Sequence, residues 1–314
     1  MKNYKAVVIG CGRIGAEEWR YPNNIKPVTH AGAYFRHPKI ELVGLCDIDS
    51  EKLKKAKRFF GGVALYDSAK KMLKEIKPDI VSIATYANTH YTFVKMAADF
   101  GAKAIVCEKP IADSIKKAES MIKVCKMKKC LLFINHSRHF DPLIEKWQEK
   151  VKNGFLGKVL QANCIYHNGF LNNGTHMVDI LKMFLGNAQK VSGFFNELTS
   201  NPEKGKNIDA IVFFKNGARA VIQSLPEKSR LTEWFFYGET GDLALRNLGM
   251  EIWYENKKSG SERSLALPMA SHVVSCLEKK EKLKSTGQDG LDVLKILFAI
   301  EKSAKNNGRI VKII

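Results

Sequence analysis

A short apolar run, Ala6-Val7-Val8-Ile9, ends in Gly10-Cys11-Gly12-Arg13-Ile14-Gly15. After a strand, three glycines at this spacing do different jobs. The first permits a tight turn, the second lets a pyrophosphate approach the backbone, and the third allows close helix packing at a helix N-terminus that attracts the anion. A second apolar run, Ile40 to Cys46, ends in Asp47, whose carboxylate can accept both hydroxyls of a ribose. Gly10, Gly12, Arg13, Ile14, Gly15 and Asp47 together predict a dinucleotide site. NAD is the expected cofactor, because the Asp47 charge repels the extra 2′-phosphate of NADP. Lys52, Lys54 and Lys55 soften that preference and keep NADP admissible. Asp47 lies 32 residues after Gly15, against about 20 in the simple fingerprint. The surplus, Ala16 to Thr29 with Pro22 and Pro27, reads as a loop inserted at the helix start, either covering the cofactor or decorating the surface.

Two further groups can move protons. Glu108-Lys109-Pro110 follows the strand-like Ala104 to Cys107. Strand C-termini in such sheets face the ligand crevice, so Lys109 can hold or relay the proton of a substrate hydroxyl. Burial and a positive nicotinamide would both lower its pKa. Taken alone, the tripeptide also describes a surface lysine before a turn proline. Asn172-Asn173-Gly174-Thr175-His176 opens a helix that carries Asp179. His176 is a general acid or base by type, although a lone His at a helix start is also a common cap or packing residue.

These residues need a scaffold, and the first third supplies a regular one. Strands are predicted at Ala6 to Gly10, Ile40 to Cys46, Asp79 to Ala84, Ala104 to Cys107 and Cys130 to Ile134. Helices are predicted at His30 to His37, Glu51 to Phe60, Asp67 to Lys77, His90 to Phe100 and Ser114 to Met127. This alternation implies a doubly wound parallel sheet. Beyond Asn135 come helices at Leu143 to Val151 and His176 to Phe184 and a strand at Val159 to Tyr166. Six more strands follow between Val191 and Tyr254, split by turns such as Lys215-Asn216-Gly217, and a last helix runs from Asp289 to Asn306. Short turns between consecutive strands imply an antiparallel sheet. The expected fold is therefore α/β: an N-terminal Rossmann sheet over residues 1–134, then an α+β substrate-binding and oligomerisation domain over 135–314 built on a large, mostly antiparallel sheet.

Composition removes several function classes. No apolar run reaches the roughly 18 residues of a membrane span. Met1 to Lys5 leads straight into the first strand without the apolar stretch and cleavage site of a signal peptide. Seven scattered cysteines, an odd number without a C-x-x-C pair, argue against a disulfide framework or zinc site; no metal and a reducing cytoplasm are expected. The net charge is +19, but only ten of the 51 basic residues are Arg. Specific nucleic-acid readout leans on Arg forks, whereas spread Lys marks solvated helix faces, so no nucleic-acid partner is expected. The charge can still steer an anionic substrate.

Taken in order, the motifs resemble the glucose-fructose oxidoreductase, inositol dehydrogenase and rhizopine-catabolism family (Gfo/Idh/MocA) nearly end to end. The likeness includes the glycine turn, Cys46-Asp47, and Ile83-Ala84-Thr85 followed by Asn88 and His90. It continues through Glu108-Lys109-Pro110, Asn135 to Pro142 with Arg138, the Gly174, His176 and Asp179 set, and the closing stretch Gly290 to Ile313. The resemblance implies hydride transfer between nicotinamide and a hydroxyl-bearing carbon of a sugar, polyol or sugar nucleotide. It implies Lys109, His176 and Asn172 as the catalytic residues beside the substrate, with Arg138 also among its ligands. Thr85, Asn88, His90 and the backbone at Glu108 would line the nicotinamide-ribose side. A homodimer or homotetramer is implied through the open face of the second sheet.

Asn172 stands where many members carry Asp, and Asn cannot take a proton. Leu171-Asn172-Asn173-Gly174-Thr175-His176 is similar to the version found in the nucleotide-sugar dehydrogenase branch, such as UDP-N-acetylglucosaminuronate 3-dehydrogenases. Tyr86 replaces a usual Pro, and the stretch between Tyr166 and Asn172 is shorter than usual. The same family includes NAD-dependent glycosidases and a non-catalytic sugar-regulon sensor, which are the alternatives to a dehydrogenase. Keeping both Lys109 and His176 favours an enzyme.

Overall fold

The structure, a computed structural model, describes residues 4–21, 27–201, 205–260 and 264–313. Pro22 of the expected inserted loop lies outside them. The chain forms two compact units: Met1–Phe140 with Ser264–Leu291, and Asp141–Arg263 with Asp292–Ile314.

The first unit is built on six parallel strands: β1 (Tyr4–Ile9), β2 (Ile40–Cys46), β3 (Ala64–Tyr66), β4 (Ile80–Ile83), β5 (Ala104–Cys107) and β6 (Leu131–Ile134). Their order is β3-β2-β1-β4-β5-β6. The order reverses between β1 and β4, so the crevice for ligands opens beyond the strand C-termini there. Val7, Val8, Ile80, Val81, Ile105 and Val106 are fully buried, as expected for a sheet covered on both faces. The intervening helices are α1 (His30–Arg36), α2 (Ser50–Phe60), α3 (Ala69–Ile76), α4 (Ala87–Asp99) and α5 (Ile115–Met127). Their starts are chemically specified. Asp49, Ser68 and Ser114 accept backbone N–H groups of the first turns of α2, α3 and α5. The α2 stripe of Leu53, Ala56 and Phe60 faces the core.

A single cut after residue 134 differs from this division in two ways. Phe140, on a 3-10 turn spanning Ser137–Phe140, still joins the first core. The chain also returns. Helix Ala266–Leu277 packs on α1 and adds Met269, Ala270, Val273 and Val274 to that core. Ser285 then exchanges backbone and side-chain hydrogen bonds with Ile134, and Thr286 pairs with Phe133, so this segment covers the β6 edge.

Among the described residues, the second unit carries α6 (Pro142–Lys152), α7 (Thr175–Leu185) and nine strands. In chain order these are β7 (Val159–Tyr166), β8 (Ala188–Asn201), β9 (Gly205–Phe214), β10 (Arg219–Ser224), β11 (Glu233–Gly238), β12 (Asp242–Arg246), β13 (Glu251–Tyr254), β14 (Lys257–Ser259) and β15 (Val311–Lys312). The sheet order is β14-β13-β12-β11-β7-β10-β9-β8-β15. β7 and β10 are parallel and the other neighbours antiparallel. Tyr166, Trp234, Phe236 and Ile222 of the sheet share a core with Ile144, Trp147, Met177, Ile180 and Leu181 of α6 and α7. A doubly wound parallel sheet and a large, mostly antiparallel sheet are thus both present, as expected.

Candidate active site

The glycine turn is shaped by close packing. Gly10 has φ +93°, and a Cβ there would stand 2.5 Å from the Ala84 carbonyl oxygen. A Cβ on Gly15 would overlap the Gly10 carbonyl. Gly12 is different, because a Cβ there would meet nothing within 4 Å. The turn thus requires the outer glycines for its own packing. The middle glycine faces open space, which a side chain would fill and an approaching pyrophosphate can use. The residues therefore fit a dinucleotide.

The inserted loop has a definite construction. The amides of Gly15, Ala16 and Glu17 all point to the Gly12 carbonyl, forming one helical turn. The chain then leaves and rejoins, with His30 N–H on Ile14 O at 3.0 Å and Ala31 N–H on Gly15 O at 2.9 Å. α1 thus continues the turn after an excursion. The excursion is anchored rather than loose at its described ends. Buried Glu18 accepts the N–H groups of Val28 and Thr29 and the Thr29 hydroxyl at 2.6 Å. Trp19 packs on the core.

Asp47 leaves the end of β2 and braces the turn. One carboxylate oxygen takes Cys11 N–H at 2.7 Å and the other takes Asp49 N–H at 2.9 Å. Each oxygen retains acceptor capacity for a ribose hydroxyl. Ile48, 95% exposed beside it, offers an apolar surface at the same rim. Arg13 and Ile14 are exposed on the turn. Thr85 and Asn88 lie at the β4–α4 junction, Thr85 hydroxyl-bonded to Thr89 at 2.8 Å and Asn88 exposed. His90, expected on the nicotinamide side, lies in the first turns of α4. Its ring is fully buried, with Nε2 at 3.1 Å from Thr85 O and Nδ1 at 3.1 and 3.2 Å from the carbonyls of Pro110 and Ile111. The buried ring thus packs between the loops after β4 and β5, and in its neutral form donates to one of them.

Lys109 follows β5 and precedes a cis bond to Pro110. Burial lowers its pKa; the Glu108 carboxylate opposes this, and the Arg138 charge adds to the lowering. Glu108, expected to serve through its backbone, also has a buried, hydrogen-bonded side chain. Burial pushes its carboxyl up, but the hydrogen bond and charge of His30, the hydrogen bond from Asn135 and the Lys109 charge outweigh burial and hold it below the usual range. His30 Nε2 is 2.9 Å and Asn135 Nδ2 2.6 Å from the same Glu108 oxygen. Arg138 is buried in the turn after β6. The sequence reading did not single out His30; a polar ring among the apolar first residues of α1 is the signal it left unused.

In the second unit, Asn172 and His176 occupy one continuous winding. A π-helical turn, Phe170–Gly174, runs directly into α7. Gly174 packs against the Phe170 ring, and the Thr175 hydroxyl donates to Leu171 O at 2.7 Å. Such widened turns are frequent at functional sites. Asn172 is exposed, His176 half-buried and Asp179 buried one turn further on. Among the described residues no cluster of His, Cys, Asp or Glu could hold a metal, and no helix is long and apolar enough to cross a membrane.

Residues 4–136 match the model of the oxidoreductase family with NAD-binding Rossmann fold, GFO_IDH_MocA. A D-apiose dehydrogenase of Paraburkholderia graminis is 24% identical over 357 residues, spanning 100% of this chain and 90% of that protein. A myo-inositol 2-dehydrogenase of Thermotoga maritima is 27% identical over 236 residues, 69% of this chain and 67% of that protein. The WlbA dehydrogenase of Bordetella pertussis, whose crystal structure holds NADH and UDP-GlcNAcA, superposes with a TM-score of 0.83 at 22% identity, covering 100% and 99% of the two chains. With its glycine turn, Asp47 and Glu108-Lys109-Pro110 in this setting, the stretch 4–136 matches the NAD-binding Rossmann domain of the Gfo/Idh/MocA oxidoreductases, and the chain as a whole is similar to sugar and polyol dehydrogenases.

Proposed function

We propose that the chain interconverts a secondary hydroxyl and a carbonyl on a sugar, polyol or nucleotide sugar, with Lys109 as the proton-exchanging group. The observation that carries this is Lys109 itself, an ammonium disfavoured by burial at the C-terminal end of a central parallel strand. A nicotinamide cofactor held at the glycine turn would supply the hydride acceptor for oxidation. Lys109 Nζ takes the hydroxyl proton as the carbonyl forms and returns it in the reverse direction. Gly12 admits the pyrophosphate, Asp47 accepts the ribose hydroxyls, and Arg13, Ile14, Thr85, Asn88 and Glu108 complete the cofactor rim. Arg138, Asn172 and His176 are the proposed substrate ligands. His176 orients the hydroxyl, and Asn172 donates or accepts without titrating.

Within this class a nucleotide sugar is favoured. Asn172 takes no proton, the net charge of +19 attracts an anion, and the WlbA dehydrogenase of similar fold was crystallised with UDP-GlcNAcA. The test is net NADH formation from free hexoses, pentoses, inositols and UDP-, GDP- or CMP-linked sugars. Activity on a nucleotide sugar supports the finer reading. Robust activity on a neutral polyol with none on any nucleotide sugar overturns it and leaves the dehydrogenase standing.

A further inference from the structure

Behind Glu108 lies a buried hydrogen-bond chain that the proposed chemistry does not use. Tyr34 Oη is 2.7 Å from Ser82 Oγ, Ser82 Oγ is 2.9 Å from His30 Nδ1, and His30 Nε2 is 2.9 Å from Glu108 Oε1. Tyr34, Ser82 and His30 are each at most 1% exposed. Donor counting gives this chain one direction. The Glu108 carboxylate can only accept, so Nε2 carries the imidazole proton. In the neutral imidazole Nδ1 is then an acceptor for the Ser82 hydroxyl, and Ser82 Oγ in turn accepts the Tyr34 hydroxyl. Asn135 donates to the same carboxylate oxygen. Every donor points towards Glu108, the neighbour of Lys109.

We infer that His30 is a positioning residue: at the end of this one-way chain it holds the Glu108 carboxylate ionised and fixed beside Lys109, and thereby governs the lysine's proton exchange. The inference rests on the reading of Lys109 given above. Charged and titratable groups near the pair come from several elements. Arg138 faces Lys109 from the turn after β6. His90 from α4 meets the Pro110 and Ile111 carbonyls. Glu18 is engaged with Val28 and Thr29, beside His30. Glu108 is therefore the one anion that favours the Lys109 ammonium among its named electrostatic neighbours. Without the His30 donor, the buried carboxyl takes up a proton more readily, and Lys109 loses its anionic neighbour.

The pH dependence of oxidation reads this out. Oxidation needs neutral Lys109, so kcat/KM rises with pH through the lysine's ionisation. In His30→Leu the rising limb should move to lower pH by about one unit, the scale on which a near charge acts. Glu108→Gln should shift the limb the same way, and the double variant should add little, since both act through one carboxylate. His30→Gln, whose amide N–H can reach the place of Nε2, should restore the wild-type limb. A purely structural role would lower turnover at every pH and leave the limb in place, which would overturn the inference. If His30→Leu fails to fold, nitrogen-resolved NMR of the wild-type chain decides: a His30 proton on Nε2 is expected, and one on Nδ1 overturns the chain. Lys109→Ala separates the two claims. Surviving turnover in that variant removes the Lys109 reading, whereas lost turnover together with an unmoved limb in His30→Leu removes only the role of His30.

Discussion

Lys109 and Asp47 are single residues whose surroundings decide what they can do. Burial disfavours the Lys109 ammonium, and Arg138 disfavours it further, against the attraction of Glu108. A neutral amine accepts the hydroxyl proton, so oxidation should accelerate as pH rises and the reverse reduction, which needs the ammonium, should slow. Both profiles should bend below the lysine's ordinary value of 10.5; a rate profile in both directions checks the opposite slopes. Asp47 places one negative charge at the end of β2, so NAD should bind more tightly than NADP; fluorescence titration with both cofactors decides, and the reverse order would refute it. His176→Ala should raise KM more than it lowers kcat if the ring chiefly orients the hydroxyl, as steady-state kinetics on the variant will show.

The glycine turn shows what an element demands beyond its motif. Gly12→Ala should fold with nearly unchanged thermal stability, since its Cβ meets nothing within 4 Å, yet NAD affinity should fall because the methyl occupies the pyrophosphate's approach. Gly15→Ala should destabilise by about 1–3 kcal/mol, the usual scale for overpacking, because the new Cβ collides with the Gly10 carbonyl. Calorimetry and cofactor titration on the two variants separate packing from binding. Elements with strong periodicity, such as Ile40–Cys46 and Val159–Tyr166, were legible to the residue. Others were not, for physical reasons. Helix Ala266–Leu277 is covered on several sides and carries Pro268 in its first turn, so it shows no polar face to read. The polar half of β8, Asn196 to Asn201, lacks alternation; side-chain bonds among Thr199, Ser200, Asn207 and Ser224 hold that hairpin instead. The candidate residues were legible as types at spacings. The tie between His30 and Glu108 was not, because it joins residues 78 apart.

At the scale of the whole molecule, a net charge of +19 is carried mostly by Lys spread along the sequence. Such a charge steers an anionic substrate over a screening length of about 8 Å at physiological ionic strength. With a nucleotide sugar, kcat/KM should therefore fall as salt rises; with a neutral sugar it should stay level, and initial rates across a salt series distinguish the two. The central claim is narrower than the choice of sugar: a nicotinamide dehydrogenase that exchanges its substrate proton through Lys109. Its most direct test is NADH formation by Lys109→Ala beside the wild type, on any substrate found active, with NAD affinity measured on both. Turnover should drop by about 10²- to 10⁴-fold, the usual contribution of a positioned acid–base group, while NAD affinity stays nearly intact. Near-normal turnover in the variant would contradict the account.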